Sequence, residues 1–126
     1  MKILIIDDEP RLLAIAKMSL EMMAQWKVLT ATSGYEGLEL AASERPDAIL
    51  LDMMMPELNG NETLVRLQAN RETKNIPVFL LTAKSNLPEN LAELGVKAVI
   101  HKPFNPVKLA EAIALNLNWD LGAKKC

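Results

Sequence analysis

Polar groups in this 126-residue sequence stand directly after short apolar runs. Ile3–Ile6 leads into Asp7-Asp8-Glu9, Ala48–Leu51 into Asp52, Val78–Leu81 into Thr82-Ala83, and Ala98–Ile100 into His101-Lys102-Pro103. If these runs lie side by side and point the same way, one edge collects the carboxylates of Asp7, Asp8 and Asp52, a hydroxyl and an ammonium. Crowded carboxylates repel, and their protonation rises unless something neutralises them. A hard divalent cation such as Mg²⁺ does so, accepting a few carboxylate oxygens, a backbone carbonyl and several waters. An acceptor carboxylate can then attack a phosphoryl group to give an acyl phosphate. Metal and lysine together offset charge on the transferring oxygens. A hydroxyl at the end of a strand could bond the new phosphoryl group. The chemistry within reach is therefore Mg²⁺-dependent formation of an aspartyl phosphate.

The elements that must position these groups are legible as an alternation. The runs Lys2–Ile6, Trp26–Ala31, Ala48–Leu51, Val78–Leu81 and Ala98–Ile100 are continuous in Ile, Val and Leu rather than alternating. That pattern predicts strands buried on both faces, hence a parallel sheet. Helical patterns separate them. The first opens at Pro10, suited to a first turn, with Leu12, Ile15, Ala16, Ser19 and Met23 on one side. The second opens on a candidate capping box, Ser33 to Glu36. The third follows Gly60, a short fourth covers about Pro88–Leu94 and ends at Gly95, and the fifth opens at Asn105-Pro106. In that last helix Val107, Leu109, Ala110, Ile113, Ala114 and Leu117 make the apolar side, and Leu115 points outward. The expected fold class is α/β, a doubly wound five-stranded parallel sheet with five helices. Ligands bind such sheets at the carboxyl ends of the strands, where the winding reverses.

Composition narrows the function. Lys+Arg number 14 against 16 Asp+Glu, a formal charge of −2, and half the residues are apolar. The length suits one domain, read as 1–118 with a polar tail at 119–126. The near-neutral balance argues against a dedicated nucleic-acid binder, and the strand–helix alternation leaves no helix-turn-helix. Cys126 is the one cysteine, so no intrachain disulfide or cysteine-based zinc site is expected. No run approaches the ~18 apolar residues of a membrane span, and Asp7-Asp8-Glu9 interrupts the first run too early for a signal peptide. A soluble, cytoplasmic chain with no nucleic-acid and no membrane partner is the expectation.

The motifs Ile5-Ile6-Asp7-Asp8-Glu9-Pro10, Leu51-Asp52-Met53-Met54-Met55-Pro56 with Gly60, Leu80-Leu81-Thr82-Ala83, and Lys102-Pro103-Phe104 stand in this order, each at a strand end. Together they make the chain resemble a response-regulator receiver domain of two-component signalling. The resemblance implies the flavodoxin-like strand order 2-1-3-4-5. It implies that Asp52 is the phosphoacceptor, that Asp8 ligates Mg²⁺ directly and Asp7 mainly through water, and that Met54 lends its backbone carbonyl. Lys102 would pair with Asp52 or its phosphoryl group, and Thr82 would bond the phosphoryl oxygen, joined by the N–H groups of Met53 and Ala83. The Lys102–Pro103 bond would be cis, which proline makes accessible, and Gly60 would serve a turn with no room for a side chain. The implied partners are a histidine kinase or phosphotransfer protein and a downstream protein of unknown identity. The chain would be a monomer or weak dimer, and not an enzyme beyond Mg²⁺-dependent phosphoryl transfer to its own Asp52 and autodephosphorylation.

Two features depart from the family pattern. Val99 stands three residues before Lys102, where the family carries a switching aromatic ring, so the readout must use other groups. Thr82–Gly95 is shorter than usual. Met54 and Lys84, two residues beyond the acceptor and the threonine, occupy positions that tune water access. Val99 and the short fourth helix motivate an alternative, a phosphorylation-independent receiver-like interaction scaffold. A dehalogenase-type phosphatase is disfavoured because it wants a second aspartate where Met54 stands, and no other general acid is evident. The bland readings favour packing roles for the three consecutive methionines and for Trp26 and Trp119, an exposed strand end for His101, and an unreactive thiol at Cys126.

Overall fold

A computed structural model of the chain describes residues 1–83, 91–102 and 104–117. Strands β1 (Lys2–Ile6), β2 (Lys27–Ala31), β3 (Ala48–Asp52), β4 (Val78–Thr82) and β5 (Val96–His101) form one parallel sheet in the order β2-β1-β3-β4-β5. Helices α1 (Pro10–Ala24), α2 (Gly34–Glu44), α3 (Gly60–Ala69) and α4 (Pro106–Leu117) cover its two faces. β3 and β4 are buried along their whole length, which is why they read as unbroken apolar runs.

Side-chain alternation splits the core. Ile3, Ile5, Leu50, Phe79 and Leu81 point to the layer of α1 and α4. Leu4, Ile6, Ile49, Leu51 and Leu80 point to the layer of α2 and α3. A bulge between β4 and β5 interrupts the register, since Val78 pairs with Val96 but Phe79 pairs with Ala98. Lys97, the extra residue, is exposed, so the bulge turns a charge outward. Val99 pairs with Leu80 and packs, half-buried, on the α2/α3 layer.

The expectation of five helices is corrected to four α-helices among the described residues. Of the segment at about Pro88–Leu94, residues 88–90 lie outside the description, and Ala92–Leu94 is a single 3-10 turn. The N–H groups of Leu94 and Gly95 donate to the carbonyls of Leu91 and Ala92. Gly95, at φ 85°, then turns the chain into β5, so helix growth stops after one turn.

The first helix is also rotated from its expected setting. Leu13, Ala16, Leu20 and Ala24 are buried, whereas Ile15 and Met23, expected inward, are 49% and 50% exposed. Apolar residues surround most of α1, so periodicity leaves its rotation open and contact with the sheet and α4 decides it. On α4, Leu109, Ala110, Ile113 and Ala114 are buried as expected, but Val107 is exposed. Trp26 is buried in the α1/α4 layer. Residues 118–126, including Trp119, the tail at 119–126 and Cys126, lie outside the described residues, as do Lys84, Pro88 and Pro103.

Candidate functional site

The acidic residues sit where strands give way to turns. Asp7 extends the β1 ladder by one step, its N–H donating to the Ala31 carbonyl at 3.0 Å. Asp52 is the last residue of β3 and stands opposite Leu81 of β4. Thr82 ends β4 opposite His101, and the Lys102 N–H donates to the Thr82 carbonyl at 2.9 Å. The parallel sheet thus delivers residues far apart in sequence to one edge.

One local device orients two of these carboxylates. The Glu9 N–H donates to Asp7 Oδ1 at 2.9 Å, and the Met54 N–H donates to Asp52 Oδ1 at 3.2 Å. Each is an Asx turn, in which an aspartate bonds the backbone two residues on. Asp7 and Asp52 are buried and Asp8 is exposed. Carboxylate oxygens of Asp7, Asp8 and Asp52 lie within 4.8 Å of one another.

Lys102 supplies the opposite charge. Its Nζ lies 3.1 Å from Asp7 Oδ2 and 3.4 Å from Asp52 Oδ1. Burial holds the Asp52 carboxyl above its ordinary value, with the charge of Asp7 adding to the rise, against the lowering effects of the Met54 N–H and Lys102. Burial would favour the neutral amine of Lys102, but its bond to Asp7 and the charges of Asp7 and Asp52 outweigh that and raise it. The site is an acidic cluster only partly neutralised from within. Its donors are hard oxygens at a spacing one cation can bridge, which fits Mg²⁺ rather than a soft metal.

The loop after Asp52 is anchored at both ends. The Gly60 N–H donates to the Met53 carbonyl at 3.1 Å. A Cβ at Gly60 would stand 2.5 Å from Met53 Cα and 2.7 Å from the Asp52 carbonyl oxygen, so a backbone contact requires glycine there. Asn59 and Glu62 form a full capping box that starts α3. The Met54 side chain is exposed while Met53 and Met55 are buried, so the methionine run packs around a loop whose middle residue faces out.

Of the residues singled out in the sequence, Asp7, Asp8, Asp52 and Lys102 converge. Thr82 is buried at the adjoining strand end, and Met54 touches Asp52 through its backbone. His101 is exposed. The cis bond expected at Lys102–Pro103 falls on a residue outside the description. Sequence reading missed the Asx turns, although Asp followed by a turn is their signal. It also missed the Asn59–Glu62 box, which has the same spacing as Ser33–Glu36. At Ser33 only half the box forms: Ser33 Oγ accepts from the Glu36 N–H, while the Glu36 carboxylate accepts from Thr32.

Comparison with known proteins gives the same reading from an independent direction. A family model described as the response regulator receiver domain matches residues 3–114. The alkaline phosphatase synthesis transcriptional regulatory protein PhoP of Bacillus subtilis is 36% identical over 107 residues, covering 83% of this chain and 43% of its own length. A probable transcriptional regulator, ycf27 of Guillardia theta, is 36% identical over 89% of this chain and 43% of its own. The chain thus spans less than half the length of these relatives. Among solved structures, a CheY-like response regulator receiver domain protein of Methanospirillum hungatei superposes with a TM-score of 0.82 at 31% identity, covering 93% of each chain. Chemotaxis protein CheY4 of Vibrio cholerae gives 0.81 at 29% identity, covering 90% of this chain and 96% of that one. With its sheet order, its acidic edge and a family match over nearly its full length, the chain belongs to the response regulator receiver domain family.

Proposed function

We propose that Asp52 accepts a phosphoryl group from a histidine kinase or phosphotransfer protein and that the modified domain presents an altered surface to a downstream protein. The observation that carries this reading is the convergence of Asp7, Asp8 and Asp52 with Lys102 at one sheet edge. Asp8 and Asp52, the backbone carbonyl of Met54 and, through water, Asp7 would hold Mg²⁺. When bound, that ion would lower the repulsion among the carboxylates and offset charge on the phosphoryl oxygens.

The chain's own groups do the rest. The Met54 N–H and the Lys102 ammonium both approach Asp52 Oδ1, so Oδ2 is the oxygen assigned to attack. Its bond to phosphorus forms as the donor's P–N bond breaks and the imidazole leaves. Lys102 turns toward the new phosphoryl oxygens, and Thr82 at the neighbouring strand end bonds them in the modified state. That bond exists only after transfer, so it favours the conformer that brings Thr82 inward and shifts the population toward it. With Val99 at the usual ring position, backbone and α4 contacts carry the readout. No second substrate is turned over. The reaction is confined to Asp52 and its later hydrolysis, in a cytoplasmic monomer or weak dimer.

The test is direct. With Mg²⁺ and acetyl phosphate, intact mass should rise by one phosphoryl group, and Asp52→Asn should abolish the increase. An unmodified wild type, or an equally modified variant, defeats the proposal.

A further inference from the structure

Helix α1 is apolar on two opposite faces. Leu13, Ala16, Leu20 and Ala24 pack inward, while Ile15, Met18 and Met22 stand outward, 49%, 60% and 72% exposed. Their spacing of three and four residues aligns the outward three in one stripe. A helix that is apolar all round is normally buried, and methionine is among the residue types most often found inside. One flank of the stripe is neutralised within the chain, since Lys17 Nζ lies 2.7 Å from Glu21 Oε2. The two ends of the helix differ. At the N-terminal end an apolar cleft of about 560 Å³ opens beside Leu12 and Ile15, with Phe104 and Arg11 also lining it. At the C-terminal end Met22 projects into solvent, and the last turn holds no basic residue, so the negative end of the helix dipole has no cation within that turn.

We propose that the outward face of α1 binds a second copy of this chain, the two helices running antiparallel about a twofold axis near Met18 and Ser19. Each end then meets what it lacks. Met22 of the second copy arrives over Ile15 and the cleft, and its unbranched thioether suits an irregular apolar gap. Arg11 arrives beside the last turn of the second copy's α1, where a cation is favoured. A parallel pair would instead set Arg11 against Arg11 and leave both clefts unfilled. The twofold axis repeats every contact, so each residue of the stripe counts twice. The stripe is about 22 Å long and about 10 Å wide, short of the ~800 Å² per partner in a standard stable complex. The dimer is therefore a weak one, with a Kd of about 100 μM. It does not depend on modification of Asp52.

Two measurements test it. The first is sedimentation velocity of the full chain in reducing buffer, from about 10 μM to about 1 mM. The weight-average mass should climb from one chain toward two across that range. Met18→Glu and Met22→Glu, at positions already exposed, should each weaken association about tenfold or more, and Arg11→Glu should weaken it too. Leu115→Glu, at an exposed position on α4, should leave it unchanged. The second is NMR on a mixture of isotope-labelled and unlabelled chains, in which intermolecular contacts should join the Met22 methyl to Ile15 and Leu12. A chain that stays monomeric to about 1 mM overturns the proposal. So does association that survives both methionine substitutions, or that only Leu115→Glu dissolves. Contacts between Met22 and Met22 of the second copy, or indifference to Arg11→Glu, overturn the antiparallel arrangement and with it the match of cleft to methionine.

Discussion

Lys102 donates to Asp7 Oδ2 at 3.1 Å, joining residues 95 positions apart, and this contact is shorter than its 3.4 Å approach to Asp52. The ammonium is shared between two buried carboxylates, and Asp7 holds it more closely. Asp7 Oδ1 is already bonded by the Glu9 N–H, so both oxygens of that carboxylate carry a donor. Lys102 thereby occupies the electrostatic role that a divalent cation would take.

Removing that amine should therefore lower the stability of the metal-free chain and raise its affinity for a divalent cation. Breaking a buried ion pair from one side costs about 3–5 kcal/mol. Lys102 is partly solvated, at 21% side-chain exposure, so Lys102→Met should cost nearer the lower figure in metal-free buffer, about 3 kcal/mol by urea unfolding. The same variant should bind Mg²⁺ more tightly by calorimetry, because the ion no longer competes with an ammonium. Metal should then restore much of the lost stability, since ligand binding to the native state adds about 2.7 kcal/mol at a hundredfold excess over Kd. Weaker Mg²⁺ binding in Lys102→Met would show that the lysine helps organise the site instead of competing for it.

Asp52 gives a pH dependence with a definite sign. Burial holds its carboxyl above the ordinary 3.8, so the folded chain binds that proton more tightly than the unfolded chain does. The resulting stability is fully present below 3.8 and is lost as pH rises through the folded value. Asp52→Asn has no proton to lose. In chelator-treated buffer it should be more stable than wild type at about pH 7, and the gap should narrow on acidification to about pH 4. Denaturant midpoints at the two pH values measure this. A gap that widens on acidification contradicts the assigned burial of the charge.

The strands and the convergence of Asp7, Asp8, Asp52 and Lys102 could be read from the sequence because each rests on a coarse pattern. Doubly buried strands are continuous apolar runs, and a parallel sheet delivers every strand end to one edge. What could not be read depends on finer competition. Leu13 rather than Ile15 faces inward because α1 is apolar over most of its circumference, and tertiary contact chooses among near-equivalent rotations. Ser33 and Asn59 each stand three residues before a glutamate, yet only Asn59 receives the reciprocal bond, since Thr32 captures the carboxylate of Glu36. The preference of Lys102 for Asp7 over Asp52 is a matter of a few tenths of an ångström, below anything residue spacing encodes.

The loop between Asp52 and α3 should respond oppositely at two positions. Glu57 adopts φ 65°, a left-handed conformation that costs a residue with a side chain about 1–2 kcal/mol. Glu57→Gly relieves that strain but adds unfolded-state entropy, leaving an expected gain of about 0.5 kcal/mol. Gly60→Ala meets backbone atoms of Met53 and Asp52 that cannot swing aside. A loss of about 2 kcal/mol or more is expected, with weaker Mg²⁺ binding because the shifted segment carries the Met54 carbonyl. Thermal melts and Mg²⁺ titration of the two variants check both signs.

The junction between α2 and that same loop offers the sharpest test of how the segment carrying Met54 is held. A Cβ at Gly34 would stand 2.6 Å from Thr63 Oγ1 and 2.9 Å from the Leu58 carbonyl oxygen. Thr63 is buried, and its hydroxyl donates to the Asn59 carbonyl at 2.8 Å. Helix propensity alone would make Gly34→Ala stabilising by up to about 1 kcal/mol, whereas overpacking here predicts a loss of about 1–3 kcal/mol. Thr63→Ala removes the hydroxyl and should cost about 1 kcal/mol for the lost hydrogen bond. If Thr63 is the obstacle, the double variant should lose less than the sum of the singles, with a coupling of about 1 kcal/mol in a double-mutant cycle. Leu58 and Asn59 belong to the loop that presents Met54, so Gly34→Ala should also weaken Mg²⁺ binding and Thr63→Ala should partly restore it. Additive losses would mean that the Leu58 backbone, and not the Thr63 side chain, sets the closeness of α2 to the loop.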